Sequence, residues 1–147
     1  MKVSDILSTN TILMAVKADT KRQLIAEMSA RLARHENLDA HAVEDAMMER
    51  ETLGSTGFGG GCALPHARLQ SAKRVKAYFA KLATPIDFGA TDGQQTDLFF
   101  MLVSPENSGA DHLEALSVLS KVMRSKPLCN KLRKAATKEE IYKLLIQ

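Results

Sequence analysis

The sequence predicts a single α/β (α+β) domain in which a mixed β-sheet is flanked by helices. Its 147 residues are 45% apolar and 25% charged, which is the size and composition of one globular domain. Segments 75–82 and 97–103 are rich in β-branched and apolar residues, as buried strands are, and the turn-rich segment 85–93 joins them. Helix-capping signals open the segments around these strands, and such a succession of elements packs helices on a sheet.

The N-terminal third predicts one strand followed by two helices. Residues 11–16, TILMAV, have the composition of a strand. Thr20 and Gln23 have capping-box spacing, and Asp39 is the expected N-cap of the next helix, which carries Arg50 on its apolar flank. The residues predicted to face the core are Leu24, Ile25, Met28, Leu32, Val43 and Met47.

The segment after Glu51 predicts a shaped loop, because it is too rich in glycine to form a stable helix. Five of the eight glycines stand here, at positions 54, 57, 59, 60 and 61. The loop leads into a short extended piece, residues 62–64, and then into Pro65 and His66. Pro65 fixes its own φ and has no N–H, so we expect a stiff main chain at His66.

The C-terminal part predicts three helices. Asp111 and Glu114 have the spacing of a capping pair, with Asp111 as N-cap, and Pro127 begins a short helix. Thr137 and Glu140 cap the last helix. The residues predicted to face the core are Leu113, Leu116, Leu119, Val122, Met123, Ile141, Leu144 and Leu145.

Composition and spacing argue against several classes of function. A net charge of +3, from 20 basic and 17 acidic residues, is too small for a nucleic-acid-binding protein. The best apolar run, residues 98–103, falls far short of the ~18 residues that cross a membrane, and the N-terminus has no apolar signal core. The two cysteines lack CxxC spacing, so we expect reduced thiols and a cytoplasmic protein.

No metal or cofactor site is predicted. Cys62 and His66 lie about 13 Å apart if the segment is extended, too far to share a metal ion or to act as a nucleophilic pair. We therefore expect Cys62 to be a small apolar strand residue. The glycine run is followed by no GK[ST] and contains no GxGxxG opening a helix, which excludes the usual nucleotide loops.

Among the four histidines, His66 is the candidate for chemistry, whereas His35 and His41 are expected on the surface. The glycines before it leave room for a bulky ligand, loop N–H groups such as that of Gly59 can face an anion, and Arg68 adds a guanidinium. A neutral imidazole is a competent nucleophile near pH 7 and can hold a labile phosphoryl group. The residues alone leave open that His66 simply ends a core strand.

His112 is predicted in the first turn of a helix, one residue after the expected N-cap. Helix N-termini carry unsatisfied N–H groups and partial positive charge, and they commonly bind phosphate. From this position His112 can donate a hydrogen bond to a phosphoryl oxygen on His66. Spacing alone leaves equally open that it is an exposed first-turn residue.

Two stretches of the chain resemble a known family. Residues 49–69, ERETLGSTGFGGGCALPHARL, resemble the active-site segment of the fructose/mannitol-type enzyme IIA proteins of the bacterial phosphotransferase system. Residues 85–93 and 97–123 resemble the nitrogen-regulatory branch of that family. The combination of RExLGSTG, the Pro-His pair and P-x(6)-HL is highly specific, and the resemblance covers nearly the whole chain.

The resemblance implies a mixed, roughly five-stranded sheet flanked by helices, the type-2 EIIA fold, over residues 1–147. It implies that His66 is phosphorylated at Nε2, that His112 is the second histidine of the site, and that Arg50 lies close to the phosphoryl group. Ser55 and Thr56 match the S-T pair whose hydroxyls and N–H groups can meet the phosphate. With the loop residues named above, the expected phosphate-binding set is Ser55, Thr56, Gly59 and Arg68.

The leading hypothesis is a phosphohistidine phosphotransferase component that works in the cytoplasm. It accepts a phosphoryl group on His66 from a phosphorylated HPr-like protein and reports its phosphorylation state to regulatory partners, without nucleic-acid binding or membrane insertion. One alternative keeps this chemistry but passes the phosphate to an EIIB domain of a sugar transporter. Another is a binding module in which His66 is never phosphorylated.

Overall fold

A computed structural model describes residues 1–147 as one sheet with helices on both of its faces. The helices are α1 Val3–Ile6, α2 Lys21–Glu36, α3 Ala40–Thr52, α4 Ala110–Arg124, α5 Lys126–Lys134 and α6 Lys138–Leu145. The strands are β1 Ile12–Leu13, β2 Gly57–Gly59, β3 Cys62–Ala63, β4 His66–Leu69, β5 Lys76–Ile86 and β6 Thr96–Pro105. None of the helices combines the length and the apolar character that a membrane crossing requires.

The sheet is mixed, with the strand order β1-β5-β6-β3-β2 and with β4 also paired to β6. Strands β3 and β4 both run parallel to β6, whereas β5 is antiparallel to it. Cys62 pairs with Leu98 and His66 pairs with Leu102, so β3 and β4 lie end to end along one side of β6. The six strands therefore fill five positions, and the expected mixed sheet of about five strands is confirmed.

Strand β6 contributes side chains to both apolar cores and so joins the helical layers on the two faces of the sheet. Its consecutive residues alternate between the two apolar cores, which is why the sequence shows an unbroken apolar run there. Helices α2 and α3 cover the face that carries Phe99, Met101 and Val103. Helices α4, α5 and α6 cover the face that carries Leu98, Phe100 and Leu102.

Three of the predicted helix starts are confirmed by their caps. Thr20, Asp39 and Thr137 each accept a hydrogen bond from the backbone N–H three residues ahead, at 3.1, 2.9 and 3.1 Å. The short helix predicted at Pro127 is also present, with Ser125 as its N-cap. These bonds satisfy N–H groups that the first turn of a helix leaves free.

The predicted start of α4 is wrong. Gly109, with φ +60°, occupies the N-cap position, and Asp111 is already inside the helix. With this start His112 faces the sheet, and Leu113 is 64% exposed instead of lying in the core. The carboxylate of Glu114 caps nothing here and pairs with the N-terminal amine of Met1 at 2.9 Å.

Two strand predictions also need correction. The strand expected over residues 11–16 is reduced to β1, because Ala15 adopts a left-handed conformation with φ +58°. The glycine-rich segment is not only a loop, since β2 forms a short antiparallel hairpin with β3. The two long strands are present: β5 begins one residue later than predicted and continues to Ile86, and β6 extends beyond its predicted range at both ends, to Thr96–Pro105.

The two cysteines are neighbours in space. Cys62 is a buried strand residue, as predicted, and Cys129 is buried on α5. Both are free thiols, and their Sγ atoms lie 3.6 Å apart although 67 residues separate them in the chain. The packing of α5 against β3 therefore makes a contact that cysteine spacing did not predict.

Candidate active site

His66 is the first residue of β4, so it stands on a strand and not in the expected loop. Its ring is half-buried, and its Nδ1 lies 2.8 Å from the carbonyl oxygen of Leu64. A carbonyl oxygen can only accept a hydrogen bond, so in the neutral ring Nδ1 carries the proton and Nε2 keeps its lone pair. The backbone next to His66 is fixed to β6, because the carbonyl oxygen of Pro65 accepts a hydrogen bond from the N–H of Leu102 at 2.9 Å.

Arg50, in the last turn of α3, lies against this lone pair. Its Nε donates a hydrogen bond to Nε2 of His66 at 3.3 Å. Its Nη1 donates to the carbonyl oxygen of Gly54 at 3.0 Å, which holds the other side of the planar guanidinium. The guanidinium therefore contacts the one imidazole nitrogen that is free to form a new bond.

His112 and Arg68 complete the set of basic side chains around His66. His112 is the third residue of α4 and only 5% exposed, so the alternative of an exposed first-turn residue is wrong. The ring centroids of His112 and His66 are 5.6 Å apart, and Nδ1 of His112 lies 2.7 Å from Oγ of Ser104. Arg68 is exposed on β4, with Nη1 3.4 Å from the carbonyl oxygen of Glu106.

These side chains share one open cavity of about 460 Å³. Its basic lining consists of Arg50, His66, Arg68 and His112. Its remaining walls are Ala46, Glu49, Leu53, Ala67 and Glu106. Two guanidinium groups and two imidazoles around an open space form a site suited to a small, strongly charged anion such as a phosphoryl group.

Three residues expected at the phosphate do not line this cavity. The N–H and the hydroxyl of Thr56 both donate to the carboxylate of Glu51, the N–H at 3.1 Å, so neither is free. The hydroxyl of Ser55 donates to the carbonyl oxygen of Phe88 at 2.7 Å. Gly59 lies in β2 and lines a different cavity. Ser55 and Thr56 thus fasten the start of the glycine-rich segment to Phe88 and Glu51.

The sequence pattern of the family described as "Phosphoenolpyruvate-dependent sugar phosphotransferase system, EIIA 2" matches residues 5–147. The chain belongs to this family. Over 145 residues this EIIA 2 chain is 37% identical to the nitrogen regulatory protein of Bradyrhizobium diazoefficiens, an alignment that covers 99% of the chain and 95% of that relative. The resemblance to enzyme IIA proteins, and to their nitrogen-regulatory branch, is confirmed.

Solved structures agree with this assignment. The crystal structure of the nitrogen regulatory protein IIA-Ntr from Neisseria meningitidis superposes with a TM-score of 0.91 at 33% identity, covering 97% of this chain and 98% of that one. The IIA mannitol structure from Escherichia coli superposes with a TM-score of 0.80 at 20% identity, covering 94% and 97% of the two chains. The second likeness concerns the fold alone.

The electrostatics of this EIIA 2 site keep both imidazoles neutral at pH 7. Burial lowers the pKa of His66, and the charge of Arg50 lowers it further, against the opposing effect of the Leu64 carbonyl. Burial, the charge of Arg68 and the positive charge of His66 once that ring is protonated at lower pH bring the pKa of His112 down to about 4. Neutral rings are required for a free lone pair on His66, so the shifts favour nucleophilic chemistry at Nε2.

Sequence reasoning missed two residues that support the site. Glu51 is buried and binds both Thr56 and Lys21, and its signal was an acidic residue at the end of an apolar helical stripe, i+4 from Met47. Ser104 is fully buried beneath His112, and its signal was a serine directly after the apolar run of β6. Buried polar residues of this kind require partners, and folding supplies them.

Proposed function

We propose that the protein is a phosphocarrier in which Nε2 of His66 accepts a phosphoryl group from a phosphorylated HPr-like protein. The observation that supports this most directly is the pairing of Nδ1–H with the Leu64 carbonyl at 2.8 Å, because it leaves Nε2 as the unprotonated nitrogen. Nε2 faces Arg50, whose Nε lies 3.3 Å away and donates its hydrogen to it. A neutral nucleophile beside a cationic donor is the arrangement that transfer of an anionic group requires.

The transfer step is an exchange of one N–P bond for another. The lone pair of His66 Nε2 attacks phosphorus, the N–P bond of the donor phosphohistidine breaks, and its electron pair returns to the donor nitrogen. His66 keeps its Nδ1 proton throughout, and the donor ring keeps the proton on its second nitrogen. The ring of His66 gains positive charge as the bond forms, and the Leu64 carbonyl dipole stabilises it.

The basic lining of the cavity stabilises the negative charge of the phosphoryl group during its transfer. Arg50 starts with its Nε–H on the attacking nitrogen and needs only a small shift to meet a phosphoryl oxygen attached there. Arg68 and His112 approach from β4 and α4, so donors surround the cavity on several sides. Such preorganised donors act without reorganisation at the moment of transfer.

We place the protein in the nitrogen-regulatory branch, where its phosphorylation state is reported to regulatory partners. Full-length similarity to nitrogen regulatory proteins supports this placement. A sugar-transport role would instead send the phosphoryl group from His66 to an EIIB domain. The two roles share the chemistry at His66 and differ only in the acceptor.

The decisive experiment is intact-mass analysis after incubation with a purified, phosphorylated HPr-like carrier. We expect one phosphoryl group on the wild type and on His41→Ala, an exposed-histidine control, and none on folded His66→Ala. The label should resist alkali and be lost in acid, as phosphoramidates are. An unlabelled wild type would favour the binding-module alternative, and a label persisting in His66→Ala would refute the assignment. Loss of the label to an added EIIB domain would favour sugar transport.

A further inference from the structure

The two histidines of the cavity make different hydrogen bonds through the same ring atom. Nδ1 of His66 meets the carbonyl oxygen of Leu64, which can only accept. Nδ1 of His112 meets the hydroxyl of Ser104 at 2.7 Å, which can either donate or accept. The direction of this second bond decides which nitrogen of His112 carries the proton, and the surroundings of Ser104 settle that direction.

Ser104 lies on β6 with none of its surface exposed, so its hydroxyl has no water to bind. The only hydrogen-bond partner of its Oγ is Nδ1 of His112. If Nδ1 carried the proton, the hydroxyl hydrogen of Ser104 would be buried without an acceptor, which is costly. The hydroxyl therefore donates, Nδ1 accepts, and the proton of the neutral ring of His112 resides on Nε2.

The strand register brings Ser104 to this position. His66 pairs with Leu102, and Arg68 pairs with Ser104, in the parallel ladder between β4 and β6. Leu102 belongs to the core under α4, and Ser104 lies two residues farther on the same face of the strand. The first turn of α4 then packs His112 over Ser104.

We propose that Ser104 is a positioning residue that sets His112 as the Nε2–H tautomer, opposite to the Nδ1–H tautomer of His66. The inference rests on the proposed phosphocarrier function for its purpose, since it makes one imidazole the nucleophile and the other a hydrogen-bond donor. Nε2 of His112 has no partner within the chain, so its N–H is free to meet an oxygen of the phosphoryl group on His66. The opposite tautomer would present a lone pair to that oxygen and repel it.

The tautomers can be observed directly by long-range ¹H–¹⁵N NMR of the imidazole rings in the unphosphorylated protein at pH 7.5. We expect a protonated Nε2 and an unprotonated Nδ1 for His112, with the reverse for His66. In Ser104→Ala the signals of His112 should shift toward a mixture of tautomers. A protonated Nδ1 of His112 in the wild type would overturn the proposal, and this measurement needs no variant to fold. It also needs no phosphoryl donor, so it stands or falls apart from the proposed function.

A kinetic cycle separates positioning from a general structural effect. Ser104→Ala should slow single-turnover phosphoryl transfer about tenfold, the scale set by one net hydrogen bond. The same substitution should have no further effect in a His112→Ala background, because Ser104 acts through that ring. Ser29→Ala, which removes a buried hydroxyl on α2, is the matched control and should transfer at the wild-type rate. Equal slowing by Ser104→Ala in both backgrounds would contradict a positioning role.

Discussion

Replacing Glu51 with glutamine tests whether a buried carboxylate holds the approach to His66 in place. The Glu51 side chain is 3% exposed, and Lys21 Nζ on α2 lies 2.7 Å from its Oε1. It also accepts the N–H of Thr56 at 3.1 Å and the Thr56 hydroxyl. One carboxylate therefore links α2, α3 and the start of the glycine-rich segment. Glutamine keeps the shape of the side chain but removes the charge.

The expected loss follows from what each partner loses. Glutamine has one acceptor oxygen in place of two, so one of the two bonds from Thr56 becomes a neutral hydrogen bond and the other loses its acceptor, at a cost of about 1 kcal/mol each. Lys21, whose side chain is 27% exposed, loses its ion-pair partner at a cost of about 1 kcal/mol. Together these changes lower the free energy of unfolding by about 3 kcal/mol, which is comparable to breaking other buried ion pairs. This is a large part of the stability of an ordinary domain.

The assay is equilibrium unfolding in urea at pH 7, with Glu44→Gln as the matched control. Glu44 lies on the same helix, and its carboxylate takes part in no ion pair, so its replacement should change the free energy by less than about 0.5 kcal/mol. Lys21→Met should reproduce part of the loss and should show coupling to Glu51→Gln in a double-mutant cycle. The reasoning is refuted if Glu51→Gln is as stable as the control.

Three further predictions concern the site and its surroundings. Arg50→Lys should slow single-turnover transfer by about 10²–10³, because an ammonium lacks the planar fork, and a wild-type rate would contradict this. Gly61→Ala should unfold at a lower urea concentration than its control Gly60→Ala. Both glycines have a positive φ, but only at Gly61 would the new Cβ lie 2.5 Å from Nη2 of Arg133. The pKa of His112 is about 4 in the folded protein, so between about pH 6.5 and pH 4 the unfolded chain binds more protons than the folded one. The free energy of unfolding should therefore decrease as the pH is lowered through this range, by up to about 1.4 kcal/mol per pH unit for this group. His112→Gln should flatten that slope in urea titrations at pH 7, 6 and 5, and an unchanged slope would count against the shift.

The fold was most predictable where the deciding interaction is local. Thr20, Asp39 and Thr137 cap their helices through bonds to a backbone N–H three residues ahead, so the short segment alone predicts them. The prediction at Asp111 failed because Gly109 competes for the same end of the helix and its left-handed backbone begins α4 earlier. Local signals therefore predict that a helix exists more reliably than they predict where it begins.

The candidate site was predictable in its members but less so in their orientation. The motif around His66, with Arg50 before it and His112 after it, led to three side chains that share one cavity. The same motif assigned the polar groups of Thr56 to the phosphate, whereas they bind Glu51. A hydroxyl binds whichever partner the packed chain presents, and sequence spacing does not identify that partner.

By itself the sequence determined the five helices α2 to α6, the doubly buried strand β6 and the histidine that follows Pro65, whereas the short helix α1 was not predicted. These depend on periodicity, apolar content and contacts within a few residues. Only the tertiary structure decided the strand order, the contact of Cys62 with Cys129, and the placement of Ser104 under His112. The two protonation forms of a neutral imidazole are both available to an isolated side chain. Its tautomer is therefore chosen by the partner that folding brings to the ring.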